Sequence, residues 1–279
     1  MPRQAGKRGA ILRIREDAPF FEDYIHDEEA LATAPLDVDH VSDVSAFYMY
    51  ANGPDPSAPP AIASTGIGDC TGVAGAEFFN VAGAFSGVYP GGVHFPTANV
   101  VSAYSGYGGY VLGNESTDNG ADLPTAAAWF TKNALVDDQG HPHQLAGWGQ
   151  IRDATNPWTL RRAVNLFGAV YMGFCLPDNA MSEFEAGQPF TDLSGPADQN
   201  EGHCMLYSYS DLTSWSESPD SASGELITWA AKQGVSPDWN AKYAFQALVL
   251  VTQDYVRKNG MTVQGLSLAQ MLSDSQDVS

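Results

Sequence analysis

The chain has 279 residues, 44% of them apolar and 11% aromatic, which is ample for a substantial core and excludes a disordered chain. The formal net charge is −20 at pH 7, and from Glu16 onward eight basic side chains stand against thirty-three acidic ones. A surface of that sign repels phosphates and excludes a nucleic-acid-binding body, and no run of eighteen apolar residues exists to cross a bilayer.

The other five basic residues, Arg3, Lys7, Arg8, Arg13 and Arg15, form a basic tip. It lacks the apolar stretch of a secretory signal, because charge interrupts Ile11 to Arg15 and Glu16 follows directly. Residues 1–35 combine this tip with an acidic middle and weak periodicity, so an extended arm is expected, lying on the body or on a protein neighbour. Residues 36–279 then form the folded domain. Leu36 to Tyr50 is apolar and aromatic, and Asn52 to Thr65 is a loop rich in turn residues.

The segment Gly66 to Phe79, GIGDCTGVAGAEFF, places a cysteine at the expected first turn of a helix. Gly66 and Gly68 permit a sharp turn, and Asp69 is a good N-cap whose side chain would accept from the first free amides. At that position the unpaired N–H groups and the positive end of the helix dipole favour a thiolate. The small residues that follow predict a helix packed closely on its neighbours. A lone cysteine is also a common small core residue, so the segment alone leaves both roles open.

Helices are expected from about Thr97 to Ser105, over Leu123 to Asn133 and over Pro157 to Phe167. From His141 onward strands and turns dominate. Ala169 to Leu176 reads as a buried strand, His203 to Tyr209 and Glu225 to Ala230 as two more, and Ala244 to Val251 as a closing strand. A short helix is expected over Gln264 to Leu272. A helix-rich first half and a strand-rich second half make an α+β fold of two lobes that share a cleft.

Cys70, Cys175 and Cys204 are odd in number and lack metal-like spacing, so neither a disulfide framework nor a zinc site is indicated, and no cofactor is expected. A nucleophilic thiol needs a base. His203, after Gly202 at the start of a strand, is the best candidate, although a satisfied core histidine is the alternative. Alternation along the strand turns Cys204 away from His203 and into the core, and Cys175 lies in the most apolar strand. Both are expected to be packing residues.

In order and spacing these segments resemble the papain-like cysteine peptidases, especially the compact bacterial and tailed-phage versions. Gly-Asp-Cys heads a buried helix, Gly-Ala-Asp follows in a loop, an apolar strand ends in Leu176-Pro177, Gly-His opens the next, and Ile-Thr-Trp precedes Trp-Asn and a last apolar strand. The likeness runs from about Leu36 to Leu272. It implies a papain-like two-lobed fold with Cys70 as nucleophile and His203 as general base and acid.

By the same resemblance Asn52, after Met49-Tyr50, is the oxyanion donor in preference to Ser64, with the Cys70 amide as the second donor. Ile227 stands where the family carries the asparagine that orients the histidine, and Trp229 where it carries a shielding tryptophan. Gly120, in the loop Asp118 to Asp122, is a candidate for pairing with an extended substrate, or a plain turn.

The expected activity is hydrolysis of amide bonds in a peptide or peptidoglycan-like substrate. The alternative is a catalytically inactive papain-like subunit of a larger assembly such as a virion, which the basic arm and the replaced asparagine fit. With no membrane segment, the expected location is cytoplasmic or virion-associated.

Overall fold

The computed structural model describes residues 10–11, 37–39, 66–197, 202–211, 224–229 and 231–254, with 267, 269, 270 and 273 in the tail. Three helices come first: α1 (Cys70–Ser86), α2 (Thr97–Gly108) and α3 (Leu123–Phe130). Helix α1 is buried on nearly every side, which its small and apolar composition permits. A Cβ added at Gly75 would come within 2.5 Å of Phe130 on α3, so glycine is what lets the two helices approach. Gly87 ends α1 in the left-handed conformation, φ 68°, with its N–H on the Ala84 carbonyl.

The boundaries of the later helices follow from their caps. Asp122 accepts from the Thr125 amide at 2.8 Å and Pro124 occupies the first turn of α3. Asn156 accepts from the amides of Trp158 and Thr159 and starts α4 (Pro157–Phe167). Two short helices that the periodicity did not reveal are α5 (Asp178–Glu185) and α6 (Pro237–Tyr243), the latter capped by Ser236 on the Trp239 amide.

Two-residue strands β1 (Ala10–Ile11), β3 (Ala121–Asp122), β4 (Leu135–Val136) and β5 (Pro142–His143) accompany the first lobe, with β2 (Asp37–Asp39) between the first two in sequence. The long strands β6 (Leu145–Ile151), β7 (Val170–Cys175), β8 (Gly202–Asp211), β9 (Gly224–Thr228), β10 (Ala231–Val235) and β11 (Ala244–Thr252) form an antiparallel sheet in the order β10-β9-β8-β7-β11-β6. The expected helix-rich start and strand-rich remainder are present, with α4, α5 and α6 set among the strands.

The core sits where α1 lies against β7 and β8. Ala247 to Val251 on β11 and Val170 to Phe174 on β7 are buried on both faces, and each fully buried large aliphatic or aromatic side chain contributes roughly 1.5–3 kcal/mol. Tyr171 on β7 fastens the helix to the sheet, its hydroxyl donating to the Thr71 carbonyl at 2.7 Å. The start of α1 is thus tied to the strand lobe one residue after Cys70.

Outside this core His143 is wholly buried, with Nδ1 2.9 Å from Asp254 Oδ2 and Nε2 3.3 Å from Asp137 Oδ2. Burial alone would lower its pKa, but the hydrogen bonds to Asp254 and Asp137 outweigh that and raise it above the ordinary histidine value. The cluster joins the β4–β5 hairpin to the chain just past β11. Among the described residues no helix is long and apolar enough to cross a membrane. Most of the expected tail helix, 264–272, lies outside the described residues.

Candidate active site

Cys70 is the first residue of α1 and 1% exposed. Its Sγ accepts from the backbone N–H of Cys204 on β8 at 3.4 Å. The thiol therefore lies at the end of a helix dipole while a main-chain amide from the strand lobe is directed at it, and both favour negative charge. None of the three cysteines is in a disulfide.

Asp69 departs from its expected role. It precedes α1, but its side chain makes no capping hydrogen bond; its carbonyl instead accepts from the Gly72 and Val73 amides at 2.7 and 3.0 Å. The physical reason is its backbone, φ −94° and ψ 22°, rather than the extended conformation from which an N-cap side chain reaches the first amides. The carboxyl is fully buried, and neither oxygen has a hydrogen-bond partner among the described residues. Burial, and next the nearby Asp118 charge, push its pKa well above the carboxylate range.

Asp118 is the residue that secures this loop. Its carboxylate accepts from the Gly68 amide at 2.9 Å and from the Tyr104 hydroxyl at 2.7 Å, and that hydroxyl in turn accepts from the Gly120 amide at 2.9 Å. The Gly120 amide is thus engaged within the first lobe. At this edge Ala121 and Asp122, not Gly120, make the strand pairing.

His203 stands second on β8 and is 1% exposed. Its Nε2 is 2.7 Å from Thr228 Oγ1. The indole of Trp229 stacks on the imidazole, ring centroids 4.6 Å apart and planes 21° from parallel, while Phe184 meets the indole edge-on at 4.8 Å. The tryptophan expected beside His203 is there. Ile227, the position matched to the orienting asparagine, carries no polar group, and the hydroxyl on the imidazole comes from its neighbour Thr228.

Cys70 and His203 line one pocket between α1 and the strand lobe, together with Val73, Ala74, Glu77, Cys204, Ile227, Thr228 and Trp229. Cys204 is 2% exposed and belongs to the core, as alternation implied, but its backbone also reaches the Cys70 thiol. Its own thiol is held protonated, its pKa raised by burial first and by Cys70 second. Cys175 is buried on β7. Asn52 and Ser64 lie outside the described residues. Among the described residues no group of three His, Cys, Asp or Glu side chains is placed to hold a metal ion.

A piece of the N-terminal arm reaches the same place. Ala10 and Ile11 pair in parallel with Ala121 and Asp122, and Ala10 pairs antiparallel with Gly202, the residue before His203. The two-residue strand β1 thus bridges the helical lobe and the strand lobe beside the pocket. Sequence reasoning placed the arm on the body or on a neighbour, without this position.

No protein-family model matches the sequence, and no curated protein matches it. Solved structures do. A cysteine protease of Xylella fastidiosa, xylellain, superposes with a TM-score of 0.58 over 90% of this chain and 98% of its own, at 11% identity. Digestive procathepsin L 3 of Tenebrio molitor larval midgut gives 0.55 over 88% of this chain and 75% of its own, at 15% identity. Procathepsin B of Trypanosoma congolense gives 0.55 over 88% and 86%, at 11% identity. With the order of helices and strands and the lobe-bridging pocket, these likenesses show that the chain has the α+β fold of the papain-like cysteine proteases.

Proposed function

We propose that the protein is a cysteine peptidase or amidase in which Cys70 is the nucleophile and His203 the general base and acid. The observation that carries this reading is that a helix-start cysteine and a histidine held in place on its ring face and at Nε2 line one pocket. Cys70 Sγ gives its proton to the imidazole, and the thiolate attacks the amide carbonyl. The Cys70 amide and Asn52 hold the oxyanion. As the tetrahedral intermediate collapses, His203 gives the proton to the departing amine. Water activated by the same imidazole then cleaves the thioester, releasing the carboxylic acid and restoring the thiol.

The substrate is a peptide or a peptidoglycan-like cross-link. An extended backbone could use the pairing edges that β1 occupies at Ala121 and Gly202. A second reading, a catalytically inactive structural or binding subunit of a larger assembly such as a virion, is favoured by two observations: Cys70 is 1% exposed, and β1 pairs with Gly202 next to His203.

A thiol-directed activity probe distinguishes the two. The hydrolase reading expects labelling that is lost in Cys70→Ala, falls steeply in His203→Ala and persists in Cys175→Ala. If Cys70 remains unlabelled at neutral pH in both the full chain and a chain lacking residues 1–35, the binding reading replaces it.

A further inference from the structure

The hairpin that joins β9 to β10 is unusual at the point where it meets His203. Thr228 and Ala231 are paired strand residues, so only two residues make the turn. The first, Trp229, has φ 46°, the one positive value outside glycine among the described residues. A residue with a bulky side chain in that conformation costs roughly 1–2 kcal/mol, and glycine or asparagine would satisfy a two-residue hairpin more easily. The strain accompanies two contacts to one imidazole: the Thr228 hydroxyl at Nε2 and the Trp229 indole across the ring face.

We propose that Thr228 is the positioning residue of the catalytic pair, supplying through its hydroxyl the orientation that the side chain of Ile227 cannot. This rests on the hydrolase reading and assigns the histidine tautomer within it. Thr228 Oγ1 accepts from Nε2–H, which leaves Nδ1 as the nitrogen that takes the proton from Cys70 Sγ and returns it to the leaving amine. When the ring becomes imidazolium, the Nε2–H bond to Oγ1 strengthens, as hydrogen bonds to charged groups do. Trp229 stops the ring from turning out of this plane. Because Thr228 sits 5% exposed, water does not readily replace the hydroxyl once it is removed.

The test follows the rate of Cys70 alkylation by iodoacetamide against pH in the full-length protein, with thermal melts to verify folding. Wild type is expected to show a reactive plateau between an acid and an alkaline limb. Thr228→Val, close in shape but without the acceptor, is expected to lose about tenfold to a hundredfold in rate and to narrow the plateau by about one to two pH units. Thr228→Ser is expected to restore both. An unchanged profile in Thr228→Val overturns the assignment, as does a serine variant as impaired as the valine one, which would make the side chain a packing group.

If the valine variant does not fold, the nitrogen-15 shifts of His203 in wild type decide. Protonation at Nε2 in the neutral ring supports the assignment, and protonation at Nδ1 overturns it. Failure of the hydrolase reading is distinguishable, because then wild-type Cys70 reacts neither in the full chain nor in a chain lacking residues 1–35.

Discussion

The main-chain N–H of Cys204 donates to the sulfur of Cys70 at 3.4 Å, so the residue after His203 in sequence reaches the thiol through its backbone and not its side chain. Two cysteines therefore share one pocket in opposite electrostatic situations. Cys70 has a helix start and an amide directed at it, whereas burial and the neighbouring Cys70 raise the pKa of Cys204. Peptide mapping after limited alkylation at pH 7 should find the modification on Cys70 at least about tenfold before Cys204. Equal modification of both would show that the pocket does not discriminate between them.

Asp69 gives a stability prediction with a definite sign. Its folded-state pKa is raised by burial and by Asp118, so folding takes up a proton. The contribution is fully present below the ordinary carboxylate range and is lost as pH rises towards the folded value, at about 1.4 kcal/mol for each pH unit between the two. Asp69→Asn should therefore melt higher than wild type at pH 8 and like it at pH 3. A lower melting temperature at pH 8 would mean that the ionised carboxylate stabilises the fold.

His143 acts on a different part of the pH scale. Its folded pKa is raised because the bonds to Asp254 and Asp137 outweigh burial, so its contribution is full below about 6.5 and declines as pH rises through the raised value. Asp254→Asn leaves a buried imidazolium short of a partner. It should cost up to about 3–5 kcal/mol near pH 6 and flatten the decline above it, as read from urea unfolding at a series of pH values. A variant with wild-type stability at pH 6 would show that the cluster carries no net charge coupling.

The arm should restrain access to the pocket. Removing residues 1–35 takes away the pairing of Ala10 with Ala121 and Gly202. A few backbone hydrogen bonds at about 0.5–1.5 kcal/mol each predict roughly a tenfold rise in Cys70 alkylation. Ala10→Pro, which lacks the amide, should give part of the same rise. Alkylation at the full-chain rate in both would show that β1 does not obstruct the thiol.

Much of the architecture was legible because the sequence states its own boundaries. Pro157 to Phe167 is helical as expected, since Asn156-Pro157 is a cap signal followed by a helical period, and the strand at Ala244 is a continuous apolar run. Helices α5 and α6 were missed because each is only two turns long and buries few side chains, although Ser236-Pro237 is a readable start. Cys70 and His203 were legible as candidates, one at a helix start and the other after a glycine at a strand start, and the structure brings both to one pocket.

What composition did not convey was tertiary. Thr228 meets His203 where the turn between β9 and β10 begins, and the sequence, which left the orienting position vacant at Ile227, did not single out its neighbour. Asp69 looked like a cap by type, but its φ and ψ and the enclosure of its carboxyl are set by the loop that Asp118 secures. Asn52 remains a proposal drawn from resemblance.

The short strand β1 has a kinetic consequence beyond obstruction. Ala10 belongs to the same chain as Gly202, so a peptide arriving from solution competes with a tethered segment, not with a second molecule. Occupancy of the pairing edges is then independent of protein concentration. Dilution would not open them; proteolysis within the arm, or a partner that captures its basic tip, would.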